Sequence, residues 1–143
     1  METIDPTPDP REAAAALGAV SDAQAAVRDR PWPIWLYPIN ALLLGGVALA
    51  GLVDSAAIGA LVIGVLAVCL VALNYGAGRH MGTPFAIPTS RGFRVLVAAA
   101  SAFVIGALFA RMADLDWAII ACAVGATSCY AIGAVLHVRS TRG

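Results

Sequence analysis

Residues 56–75 read AAIGALVIGVLAVCLVALNY, and this stretch decides the fold. It holds twenty residues without an aspartate, glutamate, lysine or arginine. A helix of that length rises about 30 Å, which is the thickness of the hydrocarbon core of a bilayer. The stretch therefore predicts a membrane-spanning α-helix.

The composition of the whole chain indicates the same environment. Of its 143 residues, 60% are hydrophobic and only 13% are charged, whereas soluble domains average about 45–50% and about 25%. So few polar side chains cannot cover a globule in water, and lipid is the solvent that this composition fits. The net charge is +0, which gives no electrostatic basis for direct binding of nucleic acid.

Three further apolar stretches have the length of a membrane span. They cover residues 34–53, 93–112 and 117–137, and none has an acidic or basic residue in its middle. Two residues separate the first two spans and four separate the last two, so each pair must form an antiparallel hairpin. We therefore predict an all-α fold, an integral membrane four-helix bundle of two transmembrane hairpins, in a transmembrane domain over residues 34–137.

The arginines near the ends of the spans predict the orientation. Loops rich in arginine and lysine are retained in the cytoplasm. Arg111 alone falls on one side, and seven arginines fall on the other: Arg28, Arg30, Arg79, Arg91, Arg94, Arg139 and Arg142. We therefore expect a multi-pass protein of the cell (plasma) membrane with its N and C termini in the cytoplasm. The lack of lysine and the abundance of alanine and glycine indicate a GC-rich genome, which we interpret as bacterial.

The N-terminal segment is expected to lie outside the membrane. Residues 1–9 are proline-rich and acidic and predict a disordered tail. Asp9 and Pro10 then form a helix-start signature, in which aspartate accepts free backbone N–H groups and proline suits the first helical position. We expect a cytoplasmic helix in residues 10–30 that ends near Arg28. Its apolar stripe is thin, so it is either a solvated connector or a helix that packs on the membrane surface, the bundle or a partner.

Small residues recur at every fourth position of the last two spans. In lipid, helices associate through close backbone approach at small side chains, because the hydrophobic effect does not drive them together. The third span carries Ala98, Ala102, Gly106 and Ala110, and the fourth carries Ala121, Gly125, Cys129 and Gly133. We predict that these stripes pack the two helices together. The alternatives are chance spacing in a chain rich in alanine and glycine, and a homodimer contact through one stripe.

The polar and sulfur-containing side chains within the spans can be explained without a functional site. Asn40 and Asn74 lie near the cytoplasmic ends of their spans. Deeper hydroxyl groups can bond carbonyls of their own helices, namely Ser101, Thr127 and Ser128. The cysteines are interpreted as small packing residues, and the two on the last span are too far apart for a disulfide: Cys69, Cys122 and Cys129.

Residues 76–92 form the longest connection between spans, and their glycines and prolines predict a largely non-helical loop. Basic side chains surround apolar ones there. We predict a candidate cytoplasmic interaction surface that lies on anionic headgroups or docks a cytoplasmic protein, formed by Arg79, His80, Phe85, Arg91 and Arg94. The alternative is a loop that only sets the orientation. A short basic cytoplasmic tail is expected at residues 138–143.

The chain shows no catalytic, cofactor or metal motif. Proton-coupled transporters need an ionisable group within the membrane, and the middle of every span lacks one. The chain therefore resembles small multidrug transporters in size only. There is no Cys-x-x-Cys pair for thiol–quinone chemistry. His80 and His137 lie near the predicted cytoplasmic surface, and a haem or metal site built from both is an alternative. We expect no enzyme activity, cofactor or metal ion.

Residues 27–46 read VRDRPWPIWLYPINALLLGG. This stretch resembles the start of a family of small four-span membrane proteins from actinobacteria, and the resemblance extends over the N-terminal helix and all four spans. Most members of that family have no assigned function, and some are encoded beside small winged-helix transcriptional regulators. The resemblance implies a membrane-anchored partner of such a regulator, and it implies no site residues.

The leading functional prediction is a non-enzymatic polytopic membrane protein that binds or tethers a cytoplasmic partner such as a transcriptional regulator. The N-terminal helix, the basic middle loop and the lack of reactive groups in the spans support it. The alternative is a subunit of a multicomponent or oligomeric transporter or channel, which four spans and small-residue stripes also fit. The lipid bilayer is a partner in either case, and a homo-oligomer is compatible with both.

Overall fold

The computed structural model describes residues 9–28, 32–82 and 90–142, and every regular element in them is helical. The predicted tail (apart from Asp9) and much of the middle loop, including Phe85, lie outside the described residues. The elements are α1 (Pro10–Arg28), α2 (Leu36–Leu49), a 3₁₀ turn η1 (Ala50–Leu52), α3 (Ala56–His80), α4 (Arg91–Met112) and α5 (Asp116–Arg142). The all-helical prediction is confirmed for the part of the chain that the structure describes.

The first helix begins where the capping pattern predicted. Asp9 Oδ1 accepts a hydrogen bond from the backbone N–H of Arg11 at 3.1 Å. The helix then runs from Pro10 to Arg28. Within the described ranges, α1 contacts none of the other helices.

Three helices are long and apolar enough to cross a membrane, namely α3, α4 and the Asp116–Ser140 part of α5. α2 and η1 together make a shorter apolar helix, Leu36–Leu52, which rises about 27 Å. It is shorter than the predicted span because residues 34 and 35 form a turn, in which the Leu36 N–H donates to the carbonyl of Pro33 at 2.9 Å.

The connection between α3 and α4 is more helical than its glycines predicted. α3 continues to His80, so the prediction of a loop from residue 76 was wrong for residues 76–80. Ala77 and Gly78 are buried, and this packing offsets the cost of about 1 kcal/mol that a glycine carries in a helix. The chain leaves the helix at Gly82, whose φ of 73° suits glycine.

The helix α5 is the centre of the packing, and it contacts α4 most extensively and then α2. The buried residues on the packed face of α5 are spaced alternately four and three positions apart: Ile119, Ala123, Ala126, Tyr130, Gly133 and His137. Such steps keep side chains on one face and are typical of left-handed helix packing. On α4 the buried residues Phe93, Ala100 and Ala107 recur every seventh position and join the same clusters.

Three glycines of the predicted small-residue stripes lie in the contact between α4 and α5. A Cβ atom built on Gly125 would lie 2.8 Å from the ring of Phe103, and one built on Gly133 would lie 3.1 Å from the Cβ of Leu96. A Cβ atom on Gly106 would lie 3.3 Å from a cysteine sulfur of α5. These three positions therefore allow α4 and α5 to approach closely.

The other members of the stripes divide between the contact and the outside of the molecule. Ala110 is buried and Cys129 is half-buried, whereas Ala98, Ala102 and Ala121 are exposed. The physical reason is geometric, because a spacing of four residues advances about 40° around a helix at each step. A stripe of four such residues therefore turns out of the contact face along its length.

The helix α3 is attached along one side only. It contacts α2 and η1, and within the described residues it contacts neither α4 nor α5. Only 6% of the residues in its most apolar stretch are buried. A Cβ atom on Gly59 would lie 3.3 Å from the carbonyl oxygen of Ala50, so the two segments approach closely there. This arrangement leaves a gap between α3 and α4.

Candidate functional site

Three polar side chains from three helices meet inside the apolar assembly. Asn40 of α2 donates from Nδ2 to Asn74 Oδ1 of α3 and to the Tyr130 hydroxyl of α5, both at 2.9 Å. Asn74 Nδ2 donates back to Asn40 Oδ1 at 3.0 Å. Asn40 is only 2% exposed. We call Asn40, Asn74 and Tyr130 the amide–phenol cluster.

The antiparallel course of the helices explains why these residues meet. Asn40 lies in the second turn of α2, and Asn74 lies near the end of α3, so a hairpin places them at the same level. Asn74 Nδ2 also donates to the carbonyl oxygen of Leu70, one turn earlier, at 2.7 Å. The two amides therefore fix the rotation of α3 against α2, and in lipid each such bond contributes on the order of 1 kcal/mol.

Aromatic rings continue the site toward the ends of the helices that carry most of the arginines. The ring of Phe93 lies 5.8 Å from that of Tyr130 and 6.5 Å from that of Tyr37, edge to face in both cases. His137 stacks on Phe93 with ring centroids 5.1 Å apart and is 1% exposed. The sequence placed His137 near the predicted cytoplasmic surface, and the structure shows that its side chain is buried among aromatic rings on the packed face of α5.

Two phenol hydroxyls of the site have a proton left to donate. The Tyr130 hydroxyl accepts from Asn40, and the Tyr37 hydroxyl accepts from the backbone N–H of Trp32 at 3.1 Å. A phenol can both accept and donate. Within the described residues, neither hydroxyl donates a hydrogen bond to a protein acceptor.

A cavity of about 280 Å³ lies beside this cluster. It is bounded by side chains of α2 and α5 and by side chains of α3 and α4, whose backbones do not approach each other closely in the described chain. Its polar lining consists of amide, phenol, indole and hydroxyl groups, and no charged side chain of the described residues lines it. The remaining lining is apolar: Leu44, Leu70, Phe93 and Val97.

A second opening is larger and has fewer polar groups. This groove of about 680 Å³ runs between the start of α2 and the end of α5, and its polar or charged lining residues in the described part of the chain are Tyr37 and Arg139. A third groove of about 400 Å³ lies further along the same two helices. The amide–phenol cluster therefore gives the smaller cavity the most specific hydrogen-bonding chemistry of the three.

The predicted interaction surface is placed at the same end of the molecule as the cluster. Arg79 and His80 are exposed at the end of α3, and Arg91 and Arg94 are exposed at the start of α4. Phe85 falls outside the described residues. We call this end, with Arg139 of α5, the arginine end.

The structure separates the two histidines that the sequence offered as joint ligands. His80 is exposed on α3, whereas His137 is enclosed by aromatic rings on α5, and α3 does not contact α5 in the described chain. Across residues 9–28, 32–82 and 90–142, no group of three His, Cys, Asp or Glu side chains is placed to hold a metal ion.

Sequence reasoning missed the amide–phenol cluster. It treated the polar residues of the spans as locally satisfied, which holds for Ser101, whose hydroxyl donates to the carbonyl of Val97 at 3.0 Å. It was wrong for Thr127, whose hydroxyl donates across helices to the carbonyl of Ala41 at 3.4 Å. Two asparagines at the same end of paired spans were the available signal, because an amide in lipid requires partners.

Comparison with known protein families, with curated proteins and with solved structures found no match to this chain.

Proposed function

We propose that this chain is a non-enzymatic, multi-pass protein of a bacterial cell membrane that binds or tethers a cytoplasmic protein, such as a transcriptional regulator. The membrane domain crosses the bilayer four times, with both termini in the cytoplasm. The isolation of α1 carries the proposal, since this helix contacts no other helix among the described residues.

Four crossings are supported by length and by packing. α3, α4 and α5 each meet the length of a span, and α2 with η1, at 17 residues, lies at the short end of the usual range. α2 packs against α3, α4 and α5, so it shares their environment. The side chains that α2 leaves exposed include Ile39, Leu42 and Leu49, which are apolar and suit contact with lipid.

The distribution of charge supports cytoplasmic termini. Exposed arginines gather at the arginine end, and positive loops stay in the cytoplasm. Arg111 is the exception at the opposite end. It is bound by the protein itself, because its guanidinium donates to the backbone carbonyls of Val53 and Asp54 at 3.4 and 3.2 Å.

The exposed apolar side chains of α1 support a binding role. Leu17 is 72% exposed and Val20 is 53% exposed. In proteins most of the stability of a helix comes from tertiary packing of its apolar face, and α1 has no such packing within the described residues. Burial of its apolar stripe against another protein would stabilise the helix and bind the partner in one step.

The test replaces the apolar stripe of α1 without changing the membrane domain. The double variant Leu17→Ser/Val20→Ser should lose the cytoplasmic protein that the unaltered chain retains in cross-linked capture from native membranes. The matched control is Ser21→Ala, a change at an exposed position of the same helix. Equal recovery of the same partner by both proteins would refute the role of α1.

The second candidate is a subunit of an oligomeric or multicomponent transporter or channel. The exposure of α3 favours it, because a helix attached along one side offers its other faces to a neighbouring subunit. A monomer that persists in mild detergent without any other protein would argue against this candidate.

A further inference from the structure

The cavity beside the amide–phenol cluster presents donors that the protein itself leaves unused. Asn40 and Asn74 each donate both amide protons to protein acceptors. The hydroxyls of Tyr37 and Tyr130 accept hydrogen bonds, and in the described residues neither donates one. Both tyrosines line the cavity. Two phenol protons in one apolar space fit an oxygen that only accepts, such as a carbonyl oxygen.

The residues that line the cavity also indicate the charge of a molecule that could bind there. Among the residues that the structure describes, no aspartate, glutamate, lysine, arginine or histidine lines the cavity. An ion that entered it would lose its hydration without gaining an opposite charge, which is costly in an apolar surrounding. The occupant is therefore neutral.

The size and position of the cavity limit the shape of the ligand. A volume of about 280 Å³ equals the liquid volume of roughly nine water molecules, which is enough for a ring or an ester group with a few carbons. Leu70 of α3 and Val97 of α4 both line it, and in the described chain the backbones of these two helices do not approach each other closely. A longer apolar chain can therefore extend from the cavity through this gap into the bilayer.

We infer that this cavity binds a neutral lipophilic molecule through a carbonyl oxygen, which accepts hydrogen bonds from the Tyr130 and Tyr37 hydroxyls. The apolar body of the ligand packs on Leu44, Leu70 and Val97. Two membrane components share this chemistry: the carbonyl ring of an isoprenoid quinone and the acyl ester of a glycerolipid. The site does not involve α1, so it is independent of partner binding.

The first arm of the test uses the tryptophan that lines the cavity. In full-length protein carrying Trp35→Phe and Trp117→Phe, Trp32 is the only tryptophan left. The purified protein in lipid nanodiscs is titrated with a decyl-substituted benzoquinone, and Trp32 emission is recorded. A quinone site predicts saturable quenching. Quenching by partition into the bilayer alone rises without saturation.

Variants of the protein test whether the saturable quenching comes from ligand bound in the cavity. Tyr130→Phe removes one donor and should weaken the apparent affinity about fivefold. Val97→Phe fills the cavity and leaves every hydrogen-bonding side chain of the amide–phenol cluster in place, so it should abolish saturation even if Tyr130→Phe alters folding. Tyr75→Phe changes the one tyrosine that does not line the cavity and should leave the titration unchanged.

The second arm tests the glycerolipid. Native mass spectrometry of the protein extracted in mild detergent should show one retained glycerolipid, and Val97→Phe should release it. Saturable quenching identifies a quinone site, and a lipid lost from Val97→Phe identifies an ester site. The inference is overturned if quenching never saturates and no lipid distinguishes the unaltered protein from Val97→Phe.

Discussion

Asn40 is the residue on which most of the interhelical hydrogen bonding depends. It connects α2 to both α3 and α5 and is buried. A leucine at this position has the same branched shape and no polar atom, so Asn74 and Tyr130 would lose partners in an apolar interior. A buried polar group left without a partner costs more than the bond itself contributed.

We therefore expect Asn40→Leu to lower the free energy of unfolding by about 1–3 kcal/mol, measured by titration with dodecyl sulfate in mixed micelles. The control Ser101→Ala removes a hydroxyl that bonds only its own helix and should change stability by less than about 0.5 kcal/mol. The double variant Asn40→Leu/Asn74→Leu should cost less than the sum of the two single variants. Strict additivity would show that the two amides do not act as a pair.

At the scale of the helices, the contact between α4 and α5 depends on glycine at particular positions. Gly133 lies where a Cβ atom would approach the Cβ of Leu96 to 3.1 Å, and that atom cannot move without its backbone. Gly64 of α3 has no atom within 4 Å of the corresponding point. The two glycines thus form a natural pair for comparison.

Gly133→Val should lower the free energy of unfolding by about 1–3 kcal/mol, because the added atoms overpack the contact. Gly64→Val should change it by less than about 0.5 kcal/mol, measured in the same dodecyl sulfate titration. Equal effects of the two substitutions would mean that α4 and α5 do not pack as described.

The sequence predicted the helices better than their contacts. Local signals specify α1, where Asp9 caps the helix, and the start of α3, where the Ser55 hydroxyl accepts from the Ile58 N–H at 3.4 Å. The contact face of α4 and α5 was predicted only in part, because several spacings of small residues fit such a composition. The bond between Asn40 and Tyr130 joins positions 90 residues apart, and no local pattern encodes it.

At the scale of the whole molecule, the packing is asymmetric. α2, α4 and α5 contact one another, whereas α3 contacts only α2 and η1 in the described chain. α3 is the most apolar of the candidate spans and the least buried, a combination that suits contact with lipid tails. This asymmetry produces the gap that admits a ligand and leaves a face free for another subunit.

The proposed topology has four membrane crossings, with both termini inside the cell. Cysteine labelling tests it in a chain whose three native cysteines are replaced by alanine. Single cysteines are then placed at exposed positions of α1, of each connection between the spans and of the end of α5, as Ala23→Cys, Asp54→Cys, His80→Cys, Ala113→Cys and Ser140→Cys. In intact spheroplasts, a membrane-impermeant maleimide should label only Asp54→Cys and Ala113→Cys, and lysis should expose the other three. Labelling of Ala23→Cys or Ser140→Cys before lysis would contradict the account.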